Sequence, residues 1–308
     1  MPRAHAMMCP MNPTPHYPTQ ILILCSLTLL LAGAAGCSDD DNPPKPDARV
    51  TDAAADAGAD TGPTPDTGPL PDTGPPSSFC GVLKDVAGAP LASADVIVCN
   101  DTECHTDTSG STGTFCVEVN VPTDYMFHAT EQKLGSKHYS DVTFPLVLTA
   151  AEAAAGTKKD LGTVVVPELG AAVTLDEKIA KTLDLGGGIK LVVPANVAVK
   201  PPLASTIEVA AAAVAVADIH PQLLASGTGA PVAALASVPL ELTFTSPIAF
   251  ELPAPAGLTD GTALTIFRSN EKTGKLESHG EATVSGSTIK EVGGKGIAAL
   301  GWLLFYKK

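Results

Sequence analysis

Aromatic residues, basic residues and long apolar runs are all scarce in this chain. Aromatic residues make up 4% of its 308 residues, with a single tryptophan. The two apolar runs, residues 21–36 and 296–306, are shorter than the roughly 20 residues that a membrane-spanning helix needs. Lysine and arginine number 19 against 33 acidic residues, which gives a formal net charge of −14. Such a charge repels phosphate backbones, so we predict no nucleic-acid partner.

Motifs of catalysis are also missing. The sequence contains no G-x-S-x-G nucleophile elbow, no G-x-x-x-x-G-K-[ST] phosphate loop and no H-E-x-x-H zinc motif. A catalytic site needs titratable groups that converge in a pocket, but the histidines are scattered over separate predicted turns and strands. We therefore predict no catalytic residue, no cofactor and no metal site. The glycine runs 186–188 and 293–296 lack the strand–turn–helix context of a phosphate cradle, and we predict hairpin turns there.

Residues 1–36 are predicted to be a signal peptide. Their apolar run ends in small residues at Ala34-Ala35-Gly36-Cys37 and passes directly into an acidic segment. This ending resembles the lipobox of bacterial lipoproteins, which implies that Cys37 becomes the lipidated first residue. The protein would then be anchored to the outer membrane or cell surface of a bacterium. The alternatives are cleavage after Ala32-Gly33-Ala34 with release to the periplasm or medium, and a free thiol at Cys37.

Residues 37–78 are predicted to form a disordered tether. The tetrapeptide Asp-Thr-Gly-Pro occurs at residues 60, 66 and 72, and large apolar side chains are almost missing. Such a composition cannot offset the entropy lost on ordering. At ~3.1 Å per residue, a Pro-rich chain of about 40 residues reaches at most ~120 Å. Calcium binding by the clustered aspartates is the alternative, although no EF-hand loop is present.

Residues 79–167 show short apolar stretches that alternate with polar residues and are separated by Gly/Pro turns, which predicts a β-sandwich. Thr149 and Glu152 form a capping-box pattern, which predicts a short helix. The segment resembles the transthyretin-like regulatory domain that follows the catalytic domain of some zinc carboxypeptidases. This resemblance implies a seven-strand sandwich that presents or scaffolds and has no chemistry of its own. The residues that carry it are Gly81-Val82, Asp85, Gly88-Ala89-Pro90-Leu91, Ala94-Asp95-Val96, Thr106–Gly110 and Gly113-Thr114-Phe115.

Four of the seven cysteines lie in this predicted sandwich, and an even number in an exported module indicates disulfides. Three pairings are open. We favour Cys99–Cys104 across a short hairpin loop and Cys80–Cys116 between two strands, because alternation lets these Cα atoms approach each other. Zinc is the rival ligand for Cys104, with His105 beside it and His128 nearby.

A second zinc pattern needs weighing. His128 and Glu131 fit the H-x-x-E element of the carboxypeptidases themselves, but they fall in a predicted strand of the accessory module. A third ligand and a catalytic glutamate have no candidate in the sequence. We therefore interpret His138 and Tyr139 as strand-surface residues rather than parts of a site.

Residues 168–308 are predicted to form a second β-sandwich, so the fold class is all-β with two tandem sandwiches. The segment resembles the β-sandwich domain named for zonula-occludens proteins, netrin receptors and ankyrins. The final apolar run, 296–306, is predicted to be a buried strand. The residues that carry the resemblance are Ile189, Leu191, Val193-Pro194-Ala195, Leu242-Thr243-Phe244, Pro247–Phe250 and the strand near Trp302.

These observations predict a non-enzymatic envelope lipoprotein that presents binding or structural modules to a protein or polysaccharide partner. The alternative is an accessory subunit or degenerate relative of a secreted zinc carboxypeptidase-type hydrolase. Stoichiometric zinc that depends on His128 or Glu131 would favour this alternative. The longest segment without a strand pattern, Asp218–Val238, is predicted to be an irregular loop and the contact surface.

Overall fold

The computed structural model describes residues 75–201, 204–225, 229–240 and 242–308. The predicted signal peptide, the lipidation site Cys37 and nearly all of the predicted tether lie outside these residues. The regular secondary structure of the described residues is nearly all β-strand, as predicted. No helix within it is long and apolar enough to cross a membrane.

The first nine strands form the predicted N-terminal sandwich, but Ser77 and Ser78, which were predicted to belong to the disordered tether, are the first residues of β1. Strands β1, β4 and β9 form one sheet in the order β4-β1-β9, and strands β3, β2, β5 and β8 form a second sheet in the order β3-β2-β5-β8. A separate hairpin, β6–β7, follows β5. The bounds are β1 Ser77–Lys84, β2 Asp95–Cys99, β3 Cys104–Thr108, β4 Thr114–Val119, β5 Asp124–Ala129, β6 Gln132–Leu134, β7 Lys137–Tyr139, β8 Val142–Val147 and β9 Lys158–Val165.

Alternation of apolar and polar residues places one face of these sheets inside. In β4, Phe115, Val117 and Val119 are buried while their neighbours are exposed. These side chains pack against Phe79 of β1 and Phe127 of β5, which are both fully buried. The period-2 pattern seen in the sequence therefore marks the core-facing side of each strand.

The one α-helix of this half, α1 (Ala150–Ala155), begins at the predicted capping box. The Glu152 N–H donates to Thr149 Oγ1 at 3.3 Å, and the Thr149 N–H donates to Glu152 Oε2 at 2.8 Å. Gly156 ends the helix in the left-handed region with φ 62°. These bonds pair backbone groups that a six-residue helix otherwise leaves free.

The described residues of the second half form twelve strands, a 3-10 turn (Val216–Asp218) and the short helix α2 (Pro221–Leu224). Their bounds are β10 Val173–Leu175, β11 Lys181–Asp184, β12 Lys190–Val193, β13 Ala198–Val199, β14 Ile207–Val214, β15 Ala233–Val238, β16 Thr243–Pro253, β17 Ala263–Ser269, β18 Leu276–Ser285, β19 Thr288–Glu291, β20 Ile297–Ala299 and β21 Leu303–Lys307.

Ten of these strands form one path, β10-β14-β15-β21-β17-β18-β19-β16-β12-β11, and β13 and β20 pair with β16. The two ends of the path, β10 and β11, are consecutive along the chain and lie beside each other. The sheet therefore curls round until its edges meet. A core of Leu191, Phe250, Ile266 and Phe305, among others, fills the space inside.

A single hydrophobic cluster joins the two halves. Phe127 and Phe144 of the first sandwich pack in the same cluster as Leu223, Trp302 and Leu304 of the second half. The indole N–H of Trp302 also donates a hydrogen bond to the backbone carbonyl of Asp141. The described residues from 75 onward accordingly belong to one compact unit.

The prediction of an irregular loop at Asp218–Val238 is wrong. Helix α2 lies within it, and residues 233–238 form β15, in which every residue is buried between β14 and β21. The alanines and serine of this strand weaken the apolar signal in the sequence. They fit here because the strand is covered on both faces, where small side chains allow close packing.

The terminal apolar run 296–306 forms two strands rather than one. Gly301 interrupts it with φ 134°, a backbone conformation that favours glycine. The hydroxyl of Ser237 donates to the Gly301 carbonyl at 2.9 Å and accepts from the Gly301 N–H at 3.0 Å. These two hydrogen bonds fix the chain between β20 and β21. Strand β20 pairs with β16, whereas β21 pairs with β15 and β17.

Candidate functional site

The four cysteines of the first sandwich pair as predicted. Cys80 in β1 lies opposite Cys116 in β4, and Cys99 in β2 lies opposite Cys104 in β3. In both disulfides the Cα atoms are 4.0 Å apart. The sulfur of Cys104 is therefore bonded to Cys99, and the neighbouring His105 pairs with Glu103 at 3.2 Å. The rival zinc interpretation does not match this arrangement.

The two members of the H-x-x-E pattern contact different partners. His128 in β5 is buried and lies 3.4 Å from an Asp141 oxygen and 3.1 Å from the Thr143 hydroxyl. Glu131 instead pairs with His138 at 2.9 Å. Among the described residues, no three or more His, Cys, Asp or Glu side chains are arranged to hold a metal ion.

The cluster of His128, Asp141 and Thr143 has the residue types of a hydroxyl–histidine–carboxylate triad but a different geometry. In a catalytic triad the carboxylate and the nucleophile contact opposite ring nitrogens, so that a proton can pass across the imidazole. Here both contacts are made to Nδ1, and Thr143 also donates directly to the Asp141 carboxylate. The arrangement satisfies buried polar groups between β5 and β8 and cannot activate the hydroxyl through the ring.

A cleft of about 580 Å³ opens where the edges of the curled sheet meet. Its walls come from the chain before β10, the β11–β12 turn and the middle of β14. Ala, Gly, Val, Leu and Ile dominate the lining, and Asp184 is the only ionisable residue among the described residues that line it. The lining residues are Gly170, Ala171, Val173, Asp184, Leu185, Gly186, Gly187, Ile189, Ala211, Ala212 and Ala213.

Strands β10 and β11, the two edges of the curled sheet, lie close together at one end and move apart at the other, where the cleft opens. At the closed end, the Lys181 ammonium donates to the Thr174 carbonyl at 2.8 Å. Across the cleft, the backbone of Gly170 lies so close to Leu185, the residue that follows β11, that an added Cβ would be 2.5 Å from the Leu185 carbonyl oxygen. Any side chain at position 170 would collide with this carbonyl, so glycine is required there.

One edge of β14 is left open in this cleft. The Gly170 N–H donates to the Ala211 carbonyl at 3.0 Å. The preceding Leu169 N–H donates to the backbone carbonyl of His138 instead of to β14. Within the described residues, β14 consequently has no strand partner on this side at Ala212 and Ala213. The side chain of Ala213 is exposed there.

The sequence did not predict this cleft. Two features of the sequence could have indicated it, the glycine run Gly186–Gly188 and the alanine run Ala210–Ala213. In the structure all three glycines have positive φ. The predicted hairpin turn at Gly186–Gly188 is confirmed, and the same turn forms one wall of the cleft. Pattern alone does not show that a turn and a strand far apart in sequence meet.

Comparison with known proteins leaves the family open. No protein-family model matches this sequence. No curated protein matches it significantly. A solved structure described as a "putative carbohydrate binding protein" from Bacteroides uniformis aligns with a TM-score of 0.21 and 10% identity, over 76% of this chain and 100% of that chain. At that level of similarity the function has to be argued from the chain's own residues.

His279 in β18 is held as a neutral acceptor. Its Nε2 accepts hydrogen bonds from the N–H groups of Ala298 at 2.9 Å and Ala299 at 3.2 Å. Burial, together with the nearby Arg268 guanidinium, lowers the pKa of His279 from 6.5 to about 4. A nitrogen that accepts from two backbone donors of β20 holds that strand against β18 and is not free to act as a catalytic base.

This pKa predicts acid destabilisation. The unfolded chain takes up a proton near pH 6.5, whereas folded His279 resists it until about pH 4, so the free energy of unfolding should fall as the pH drops through this range. Each pKa unit corresponds to ~1.4 kcal/mol, so the loss is at most about 3 kcal/mol. His279→Gln keeps a hydrogen-bond acceptor and removes the titration. Urea unfolding at several pH values in this range should show that the unfolding free energy of the variant falls less steeply with decreasing pH than that of the wild type. An equal dependence on pH would contradict the prediction.

Proposed function

We propose that this protein is a non-enzymatic component of a bacterial cell envelope, held by an N-terminal lipid at Cys37, whose joined sandwiches bind a partner outside the cell. The observation that carries the proposal is that the described titratable side chains, Asp184 excepted, lie apart from the cleft and do not converge in it. The histidines of the described chain make separate structural contacts, while the cleft offers small apolar side chains and an open strand edge.

The two disulfides support an exported location. Such bonds persist in oxidising compartments and are rare in the cytosol. The signal peptide and lipobox resemblance of residues 1–37 point to the same place. A unit stabilised by disulfides at the end of a Pro-rich spacer suits the binding of a partner outside the membrane better than it suits catalysis.

The cleft favours a polypeptide over a polysaccharide as the partner. Sugar rings commonly pack their C–H faces on exposed aromatic side chains. Here Tyr125, Tyr139, Trp302 and Tyr306 are each 3–4% exposed and belong to the cores. An extended chain needs small side chains for close backbone approach and an unpaired strand edge, and the cleft supplies both.

A blocking substitution tests this site. Ala213→Arg places a long cation in the mouth of the cleft at an exposed position, so folding should be preserved. We expect this variant of the mature protein to lose at least tenfold in saturable binding to isolated envelopes. Val292→Arg, at a position that is 39% exposed just after β19 and does not line the cleft, is the matched control and should bind normally. Equal binding by both variants would rule out the cleft.

Treatment of the envelopes identifies the kind of partner. Digestion with protease should abolish binding, while glycosidases should leave it unchanged, and the reverse result would establish a polysaccharide. Metal-dependent cleavage of a peptide or ester panel by the purified protein would overturn the non-enzymatic proposal. So would stoichiometric zinc lost on His128→Ala or Glu131→Ala, which would favour the hydrolase relative instead.

A further inference from the structure

His220 occupies a buried position between the two sandwiches and is 8% exposed. It belongs to the second half of the chain, where it caps the N-terminus of α2. Its ring stacks on Phe144 of β8, with ring centroids 4.0 Å apart and an interplanar angle of 8°. Phe144 in turn stacks on Phe127 at 4.6 Å. His220 therefore extends a ladder of rings from the first sandwich into the second half.

Both ring nitrogens of His220 are used, and their partners fix its protonation. Nε2 lies 3.0 Å from the Leu161 carbonyl oxygen, which can only accept, so Nε2 carries the hydrogen. Nδ1 lies 3.3 Å from the Gln222 N–H, which can only donate, so Nδ1 is bare. A proton on Nδ1 would face this backbone donor directly. The observed contacts are thus available only to the neutral ring.

Among the described residues, the contacts of His220 are with backbone groups and Phe144, and no charged side chain pairs with it. Strand β8 carries no ionisable side chain, and on β9 Lys159 bonds to the Val147 carbonyl and Glu152 while Asp160 accepts from the Gly162 N–H. Lys158 is exposed at the far end of β9, and Asp218 lies on the 3-10 turn two residues before His220. The neighbouring His128 and Asp141 meet at Thr143, whose side chain alternates with Phe144 to the opposite face of β8.

We propose that His220 is an acid-released latch between the two sandwiches. Proton uptake at Nδ1 removes the acceptor that caps α2 and creates a charge in a buried site, where the loss of hydration opposes it. The ring must then leave its position, and α2 separates from β8 and β9. The junction is closed at neutral pH and loosens in acid, while each sandwich keeps its own strand pairing.

The direction of titration agrees with this geometry. Burial lowers the pKa of His220 from 6.5, and the hydrogen bond to Leu161 only partly opposes this effect. The latch therefore holds through neutral pH and opens below pH 6.5. A histidine with a raised pKa would already be charged there.

The single tryptophan, Trp302, provides a built-in probe, because it lies in the shared cluster and donates to Asp141 across the junction. In the mature protein, lowering the pH from about 7 to about 4.5 should shift Trp302 emission to longer wavelength before far-UV circular dichroism changes. His220→Asn retains an oxygen that can cap α2 and cannot be protonated in this range. This variant should lose the emission shift, whereas His279→Gln should retain it.

The proposal is overturned if His220→Asn shows the same acid shift as the wild type, or if His279→Gln abolishes it. Should His220→Asn fold poorly, ¹³C-labelled histidine in the wild type gives an independent result. The ring signals of His220 are expected to titrate together with Trp302 emission. If they do not titrate until the protein unfolds globally, the latch does not exist.

Discussion

Replacing Cys80 and Cys116 together by alanine is expected to lower the free energy of unfolding by about 4 kcal/mol. A disulfide stabilises mainly by restricting the unfolded chain, and the restriction grows with the length of the closed loop. These cysteines are 36 residues apart, whereas Cys99 and Cys104 are 5 apart. The same relation gives about 2 kcal/mol for the shorter loop. Urea unfolding of the two double variants measures both values.

The shape of the transition carries a second expectation. Because Phe127, Trp302 and Leu304 share one cluster, the two halves should unfold together although the cysteines lie in one of them. Removing either disulfide should therefore shift a single transition observed by circular dichroism and by tryptophan emission. Two separated transitions, of which only one moves, would show that the halves are independent. A larger loss from the Cys99–Cys104 variant would contradict the loop-length argument.

Phe144→Ala is expected to cost about 3–5 kcal/mol of unfolding free energy, the range found for truncating a buried phenylalanine. Phe144 is fully buried and stacks on Phe127 on one side and His220 on the other. Its loss leaves a cavity at the junction, where neither sandwich can collapse without moving the other.

The matched control lies in the same strand. Val147 of β8 is 51% exposed, and Val147→Ala should change the unfolding free energy by no more than about 0.5 kcal/mol. Thermal or urea unfolding of both variants gives the comparison. A small effect of Phe144→Ala, similar to that of Val147→Ala, would show that the ring ladder does not hold the halves together.

Local signals in the sequence predicted much of the fold because they depend on nearby residues. The alternation in β4, the capping box of Thr149 and Glu152, and the turn at Gly186–Gly188 are all confirmed. The disulfide pairs were also predictable, since a short hairpin loop and the facing of two strands limit which cysteines can meet. These features require no knowledge of distant contacts.

The candidate site and the junction depend on contacts between distant residues, and the sequence does not reveal them. Ala213 and Gly186 are separated by more than twenty residues, and each looks like an ordinary small residue in its own segment. His220 looked like part of an irregular loop, because proline follows it and the segment shows no strand pattern. Its stack on Phe144 becomes visible only once the two halves are packed together.

The position of β1 has a mechanical consequence for a tethered protein. Any pull transmitted through the preceding Pro-rich segment enters the fold at Ser77, and β1 lies between β4 and β9 in the middle of its sheet. Force along the strand loads the hydrogen bonds on both sides at once, in shear, rather than opening them one after another. Cys80, three residues into the strand, passes the load covalently to β4. A pull on the N-terminal end of β1 is therefore shared by β4 and β9 rather than carried by one strand pair alone.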